Sequence, residues 1–183
     1  MSISEIIILH GAPTLAGLKP ASLFTCHKKE YPNLNADLAY LNEKLESRNI
    51  CFHIVASRPT YHLVLLCDQR LLWAHLQHKD RKAFLASYGY PIQSLDEAIN
   101  QLKCRMEHTD FPHEVGIFLG YPLEDVKSFI EENGKNYKDI GYWKVYHDEH
   151  KAHEIFQAYQ RCVKFFQNSF HRGIRLEQLA LQP

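Results

Sequence analysis

Long apolar runs are missing from this 183-residue sequence. The longest one near its start, Ile6 to Leu9, is far too short for a signal-peptide core or a membrane span, and no basic stretch precedes it. The expectation is a cytoplasmic protein with no membrane partner. An excess of either charge is also missing. Lys plus Arg and Asp plus Glu number 21 each, which leaves no whole-molecule field to attract a nucleic acid or an anionic surface. The five cysteines are odd in number and contain no CxxC spacing, which argues against a disulfide framework and against a zinc ribbon. Cys51, Cys67, Cys104 and Cys162 fall inside apolar or amphipathic stretches and read as buried thiols. Repeats, low-complexity tracts and the glycine fingerprints of dinucleotide or P-loop sites are absent as well.

What is present suits one globular fold. At 45% hydrophobic and 23% charged residues, the chain is long enough for one sizeable core and too short for two, so residues 1–183 are expected to form one domain. The most strongly punctuated stretch runs from Phe111 to His147. Val115, Ile117 and Leu119 alternate with Glu114, Gly116 and Phe118, as in a strand with both faces largely covered. Gly120 breaks the run, and Pro122, Glu124 and Asp125 suit a first helical turn. Leu123, Val126, Phe129 and Ile130 form an apolar stripe, and Gly134 reads as a C-terminal cap. Tyr142 to His147 reads as the returning strand. A strand, helix and strand in this order predict a parallel, right-handed crossover.

Elsewhere the pattern predicts a helix from Ser2 to Leu9 that stops at Gly11, a loop from Ala12 to Pro20, and a strand from Ser22 to Cys26. Asn33 or Asn35 caps a helix carrying Leu34, Leu38, Leu41 and Leu45. Cys51 to Ser57 and Tyr61 to Cys67, separated only by Arg58, Pro59 and Thr60, predict an antiparallel hairpin. Helices follow after Asp68, from Lys79 to Tyr88, and after Ser94, which forms a capping box with Glu97. The longest helix runs from about Asp148 to Phe170, and the tail from Gly173 to Leu181 is a short strand or a surface segment. The expected class is therefore α/β: a mixed sheet of about five strands, with a β-hairpin and one parallel crossover, flanked by helices.

The run FPHEVGIFLGYPLEDV, with GKNY and GYWKVY behind it and APTLAGLK near the start, resembles an uncharacterised "domain of unknown function" family of small proteins from anaerobic bacteria. The resemblance spans nearly the whole chain. It implies a single cytoplasmic domain with no established activity, in a genetic setting of iron uptake and flavodoxins.

Candidate site residues follow from both sources. A helix that starts directly after a strand offers free amides to an anion at the strand's carboxyl edge, which singles out Gly120 and Tyr121. If the first strand runs parallel to the one ending at Leu119, Cys26 and His27 emerge at the same edge, and Thr14, Lys19 and Lys28 approach from neighbouring loops. The expected function is binding of a small anionic, ring-bearing ligand by Thr14, Lys19, Cys26, His27, Gly120 and Tyr121, with the cofactor unassigned. One alternative is a reductase or transferase using His27, His113 or Tyr121 in acid–base roles. Another is a protein-binding adaptor, with Thr60, Tyr61, Tyr88 and Tyr90 on its surface. Glu114 is expected to neutralise Lys135 or Lys144. His147, His150 and His153 lie near Glu149 and Glu154, but HxxHxxH turns the third imidazole away from the first, so no metal site is expected there.

Overall fold

Leu63 to Cys67 has no polar break, as befits a strand covered on both faces. In the computed structural model, which describes residues 1–108 and 111–180, these residues lie within β3 (Tyr61–Asp68). This strand is central in a three-stranded sheet of order β1-β3-β2, between β1 (Ala21–His27) and β2 (Ile50–Ser57). Both pairings are antiparallel. The hairpin through Arg58, Pro59 and Thr60 forms as its turn residues suggest. Its register shifts between Ile54 and Ala56, which leaves Val55 as the extra residue of a bulge.

Alternate residues feed two cores. Phe24, Cys26, Phe52, Val64 and Leu66 face α1 (Ile3–Leu15), α2 (Leu34–Leu45), the C-terminal half of α8 (Glu149–His171) and α9 (Leu176–Leu179). Ala21, Val55, Leu65 and Cys67 face α3 (Gln69–Leu76), α4 (Lys79–Ser87), α5 (Leu95–His108), α6 (Val115–Phe118) and α7 (Leu123–Glu131). Ser2 and Glu5 form a capping box, and Asp68 and Asp148 accept from Leu71 and Lys151 amides, whereas Asn33 stands at the start of α2 without a side-chain cap hydrogen bond. Ser94 accepts from the Glu97 amide at 3.2 Å. Among the described residues, no helix is long and apolar enough to cross a membrane.

Several expectations are corrected. The sheet is antiparallel rather than mixed, and among the described residues no parallel crossover forms, because Val115 to Phe118 is a helical turn instead of a strand. Every residue from Glu114 to Leu119 is buried, so the run carries no true alternation, and a short, wholly buried run satisfies either geometry. One turn has no helical stability of its own. Burial of Val115, Ile117 and Phe118, at about 1.5–3 kcal/mol per large side chain, holds it. The expected strand Tyr142–His147 shrinks to a two-stranded antiparallel ribbon, β4 (Asp139–Ile140) with β5 (Lys144–Val145).

Nor does the first helix stop at Gly11, and Ala12 to Leu15 is helix instead of loop. A side chain at Gly11 would strike Leu66, so this glycine serves close approach to the sheet rather than termination. Pro13 falls near the end of this helix and leaves the Leu9 carbonyl without its helical donor, on a residue that is exposed and open to water. The tail is helical through α9, with Leu176 and Leu179 buried, and residues 181–183 lie outside the described residues.

Candidate functional site

The helical turn α6 ends in a Schellman motif. Tyr121 N bonds to Gly116 O at 2.9 Å and Gly120 N to Ile117 O at 3.1 Å, with Gly120 at φ +78° in the left-handed position. The motif lays the Tyr121 ring over Gly116, where a Cβ would meet Tyr121 Cδ2 at 3.1 Å and Val126 Cγ2 at 2.8 Å. A second Schellman motif closes α7, with Asn133 at φ +51° and Gly134 N bonded to Phe129 O at 2.8 Å. Lys144 Nζ reaches across from β5 to donate to Gly134 O at 2.7 Å.

Asp125, in the first turn of α7, fastens the ribbon to that helix. Its buried carboxylate accepts from Trp143 Nε1 at 2.8 Å, Tyr146 N at 3.0 Å and His147 N at 3.1 Å. A two-stranded ribbon this short does not persist by itself. Trp143 packs edge-on against Phe156 at 4.6 Å and beside Tyr121 at 5.3 Å, and Tyr142 meets Tyr159 at 5.0 Å, so the N-terminal half of α8 is its floor.

Between the ribbon and the α6–α7 pair lies a groove of about 350 Å³, within the size range of small-molecule sites. Tyr121, Phe129, Tyr142 and Trp143 supply aromatic wall, with Phe111 and Ile140, both exposed, on the lining as well. Its polar groups are few. Lys144 stands over the Tyr137 ring at 4.6 Å and the Phe129 ring at 5.6 Å, and His113 meets Phe129 edge-on at 4.9 Å. Among the described residues Asp125 is the one lining carboxylate, and its oxygens already hold three donors, whereas Lys144 brings the one lining ammonium. Burial pushes the Tyr121 hydroxyl up to about 12, which keeps it neutral and a hydrogen-bond donor.

The expected site residues divide by place. Lys19, Gly120 and Tyr121 come together. Lys19 Nζ lies 5.5 Å from the Tyr121 ring centroid and 5.7 Å from that of Tyr159, and a Cβ on Gly120 would sit 2.6 Å from Pro20 Cδ. Pro20 thus fills the space against Gly120 where a ligand was expected to approach. Thr14 is buried and shares a 2.8 Å hydrogen bond with Ser22, joining α1 to β1. Cys26 and His27 lie at the far end of β1, about 17 Å from Ala21 at the strand rise, because β1 begins rather than ends beside Gly120. Cys26 is buried, and burial pushes its thiol up to about 11, which suppresses the thiolate. Of the six, Tyr121 alone lines the groove.

Other assignments also change. Glu114 pairs with Arg105 and accepts from Tyr90 Oη at 3.0 Å, instead of meeting Lys135 or Lys144. Tyr90 is therefore buried on that carboxylate and offers no adaptor surface. The three clustered histidines go separate ways: His147 to Ser128 at 3.0 Å, His150 to Glu154 at 3.7 Å and His153 to Asp139 at 2.6 Å.

The residues that sequence reasoning missed are Asp125, Trp143 and Lys144. Asp125 reads from sequence as a helix-dipole residue, and Trp143 and Lys144 read as strand positions. The available signal was the aromatic density of Gly141 to Tyr146 just behind a helix of strongly amphipathic pattern.

No curated protein and no solved structure gives a match to the chain. A family model described as "Protein of unknown function (DUF3793)" matches residues 7–180, which include every element that builds the groove. With nearly the whole chain matched, from the first helix through the floor of the groove to α9, this protein belongs to that family.

Proposed function

We propose that this protein binds a small, planar, ring-bearing molecule that carries a negative charge, and that the groove beside the β4–β5 ribbon is where it binds. The observation that carries the reading is the composition of that groove: an aromatic wall, one ammonium from Lys144, and a carboxylate whose lone pairs are already committed. The ring lies among Tyr121, Phe129 and Trp143, where stacking contributes about 0.5–1.5 kcal/mol per partner beyond the area buried. The anionic group points to Lys144, which keeps N–H donors beyond the one given to Gly134. His113 and the Tyr121 hydroxyl are within the same lining and fix orientation.

A probe pair tests this. In a Trp73→Phe variant, Trp143 is the remaining tryptophan of the chain's two. Titration with 8-anilinonaphthalene-1-sulfonate is expected to give saturable, one-site energy transfer from Trp143, and the uncharged N-phenyl-1-naphthylamine is expected to bind more weakly. Lys144→Met should lower affinity for the sulfonate by about tenfold, the worth of a hydrogen bond to a charged group, and leave the neutral probe unaffected. Binding that ignores Lys144 and Trp143 would move the site elsewhere.

The protein-binding reading has one observation in its favour: Phe111, Tyr137 and Ile140 are exposed around the same groove. On that reading both probes bind equally and Lys144→Met changes neither.

A further inference from the structure

The β2–β3 register sets Cys51 directly opposite Cys67, and the strand period returns His53, two residues on, to the face that Cys51 occupies. The two Sγ atoms stand 3.2 Å apart, and His53 Nε2 lies 3.0 Å from Cys51 Sγ. The ligand atoms of these residues all lie within 4.8 Å of one another, a grouping of metal-ligating side chains that has no counterpart among the other described residues. None of the three lines the groove, so the argument is independent of what binds there.

We propose that Cys51, His53 and Cys67 form a site for a thiophilic divalent cation of the zinc class, with two thiolates and one imidazole at three corners of a tetrahedron and a solvent oxygen at the fourth. The donor set matches the cation: thiolate sulfur and imidazole nitrogen favour zinc, whereas magnesium and calcium take oxygen. The three donor atoms lie within 4.8 Å of one another, against roughly 3.5–3.8 Å between donors around one such cation. Bonds of about 2.3 Å to sulfur and about 2.0 Å to nitrogen need the sulfurs about 3.8 Å apart, roughly half an ångström more than they are. The site is reachable, since Cys51 and His53 are only partly buried while Cys67 anchors it from within.

Cation binding forms two metal–sulfur bonds and one metal–nitrogen bond, passes the thiol protons it displaces to solvent, and moves no electrons.

The test uses the whole chain, reduced with a phosphine and stripped with a chelator. Zinc, titrated against a chromophoric competitor, is expected to bind one ion per chain and to release protons as it binds. Cobalt(II) at the same site should show thiolate-to-metal charge transfer and tetrahedral ligand-field bands. In the wild-type chain, zinc should protect Cys51 and Cys67 from iodoacetamide and leave the exposed Cys104 reactive. His53→Gln should weaken zinc binding roughly tenfold or more, Cys51→Ala with Cys67→Ala should abolish it, and Cys104→Ser should leave it unchanged. The proposal is overturned if the reduced wild-type chain takes up no stoichiometric zinc, if zinc gives no protection at Cys51 and Cys67, or if Cys104→Ser removes the binding. A Cys51–Cys67 disulfide that forms in place of cation uptake would also overturn it.

Discussion

Asp125→Ala is expected to cost about 3–5 kcal/mol of stability, because it strips a buried acceptor from three donors at once. Trp143 and Tyr146 are both buried, so their donors have little access to water once the carboxylate is gone, whereas the His147 amide belongs to an exposed residue and recovers part of its loss. Asp125→Asn separates the contributions. Its amide oxygen can still accept from the two backbone N–H groups, but its NH₂ then faces the indole N–H, donor against donor. That variant is expected to lose about 1–2 kcal/mol. Placed on a Trp143→Phe background, where the indole N–H is gone, the same change should cost markedly less. Urea unfolding followed by circular dichroism gives the energies, and amide exchange at Tyr146 and His147 shows whether the ribbon detaches first. Equal costs on both backgrounds would mean that the indole bond contributes nothing.

Lys19→Met should raise stability at neutral pH by about 1–3 kcal/mol and remove a rise in stability that the wild-type protein shows above pH 8. Lys19 is 7% exposed, and among the described residues no carboxylate stands within ion-pair distance of it. Its ammonium instead faces the Tyr121 and Tyr159 rings. Burial pulls it down to about 8 from an ordinary 10.5. Below pH 8 both folded and unfolded chains carry the proton, so the folded state bears the full desolvation penalty, about 3 kcal/mol at ~1.4 kcal/mol per pH unit. Between 8 and 10.5 the unfolded chain holds a proton that the folded chain has released, and stability climbs with pH as the penalty disappears. Attraction to the two rings offsets part of the penalty, which sets the lower end of the expected gain. The wild-type and Lys19→Met curves should therefore converge by about pH 10.5. Parallel curves across that window would show that Lys19 holds its proton as tightly in the folded protein as in the unfolded chain, with no desolvation penalty to relieve.

The sequence was readable where a residue's chemistry acts locally. Arg58-Pro59-Thr60 between two largely apolar runs specifies the hairpin, and Asp68 and Ser94 start their helices by accepting amides three residues on. It was misleading where burial acts from every side. Val115 to Leu119 looks like a strand only because all its residues are apolar, and neighbours remote in sequence decide that it coils. The groove was legible only as Tyr121 and, through the enzyme alternative, His113. Phe129 and Trp143 have ordinary strand and helix explanations, and Asp125 is as good a first-turn residue as a clamp. The Cys51–Cys67 pair was hidden for a sharper reason. Counting back from the turn, where Ser57 faces His62, would set Cys51 against Asp68. The bulge at Val55 slides the register by one and brings the sulfurs face to face.

The helix from Glu149 to His171, about 34 Å from end to end, is shared property: one half roofs the β-sheet beside α1 and the other carries Trp143 and Tyr142. A molecule lodged in the groove would press on Tyr142 and Trp143, which rest on the same rod that closes the distant core, and its binding energy would be shared by the entire cooperative unit instead of a local flap. Occupancy would register as a higher melting temperature of the whole chain, in proportion to the logarithm of ligand concentration.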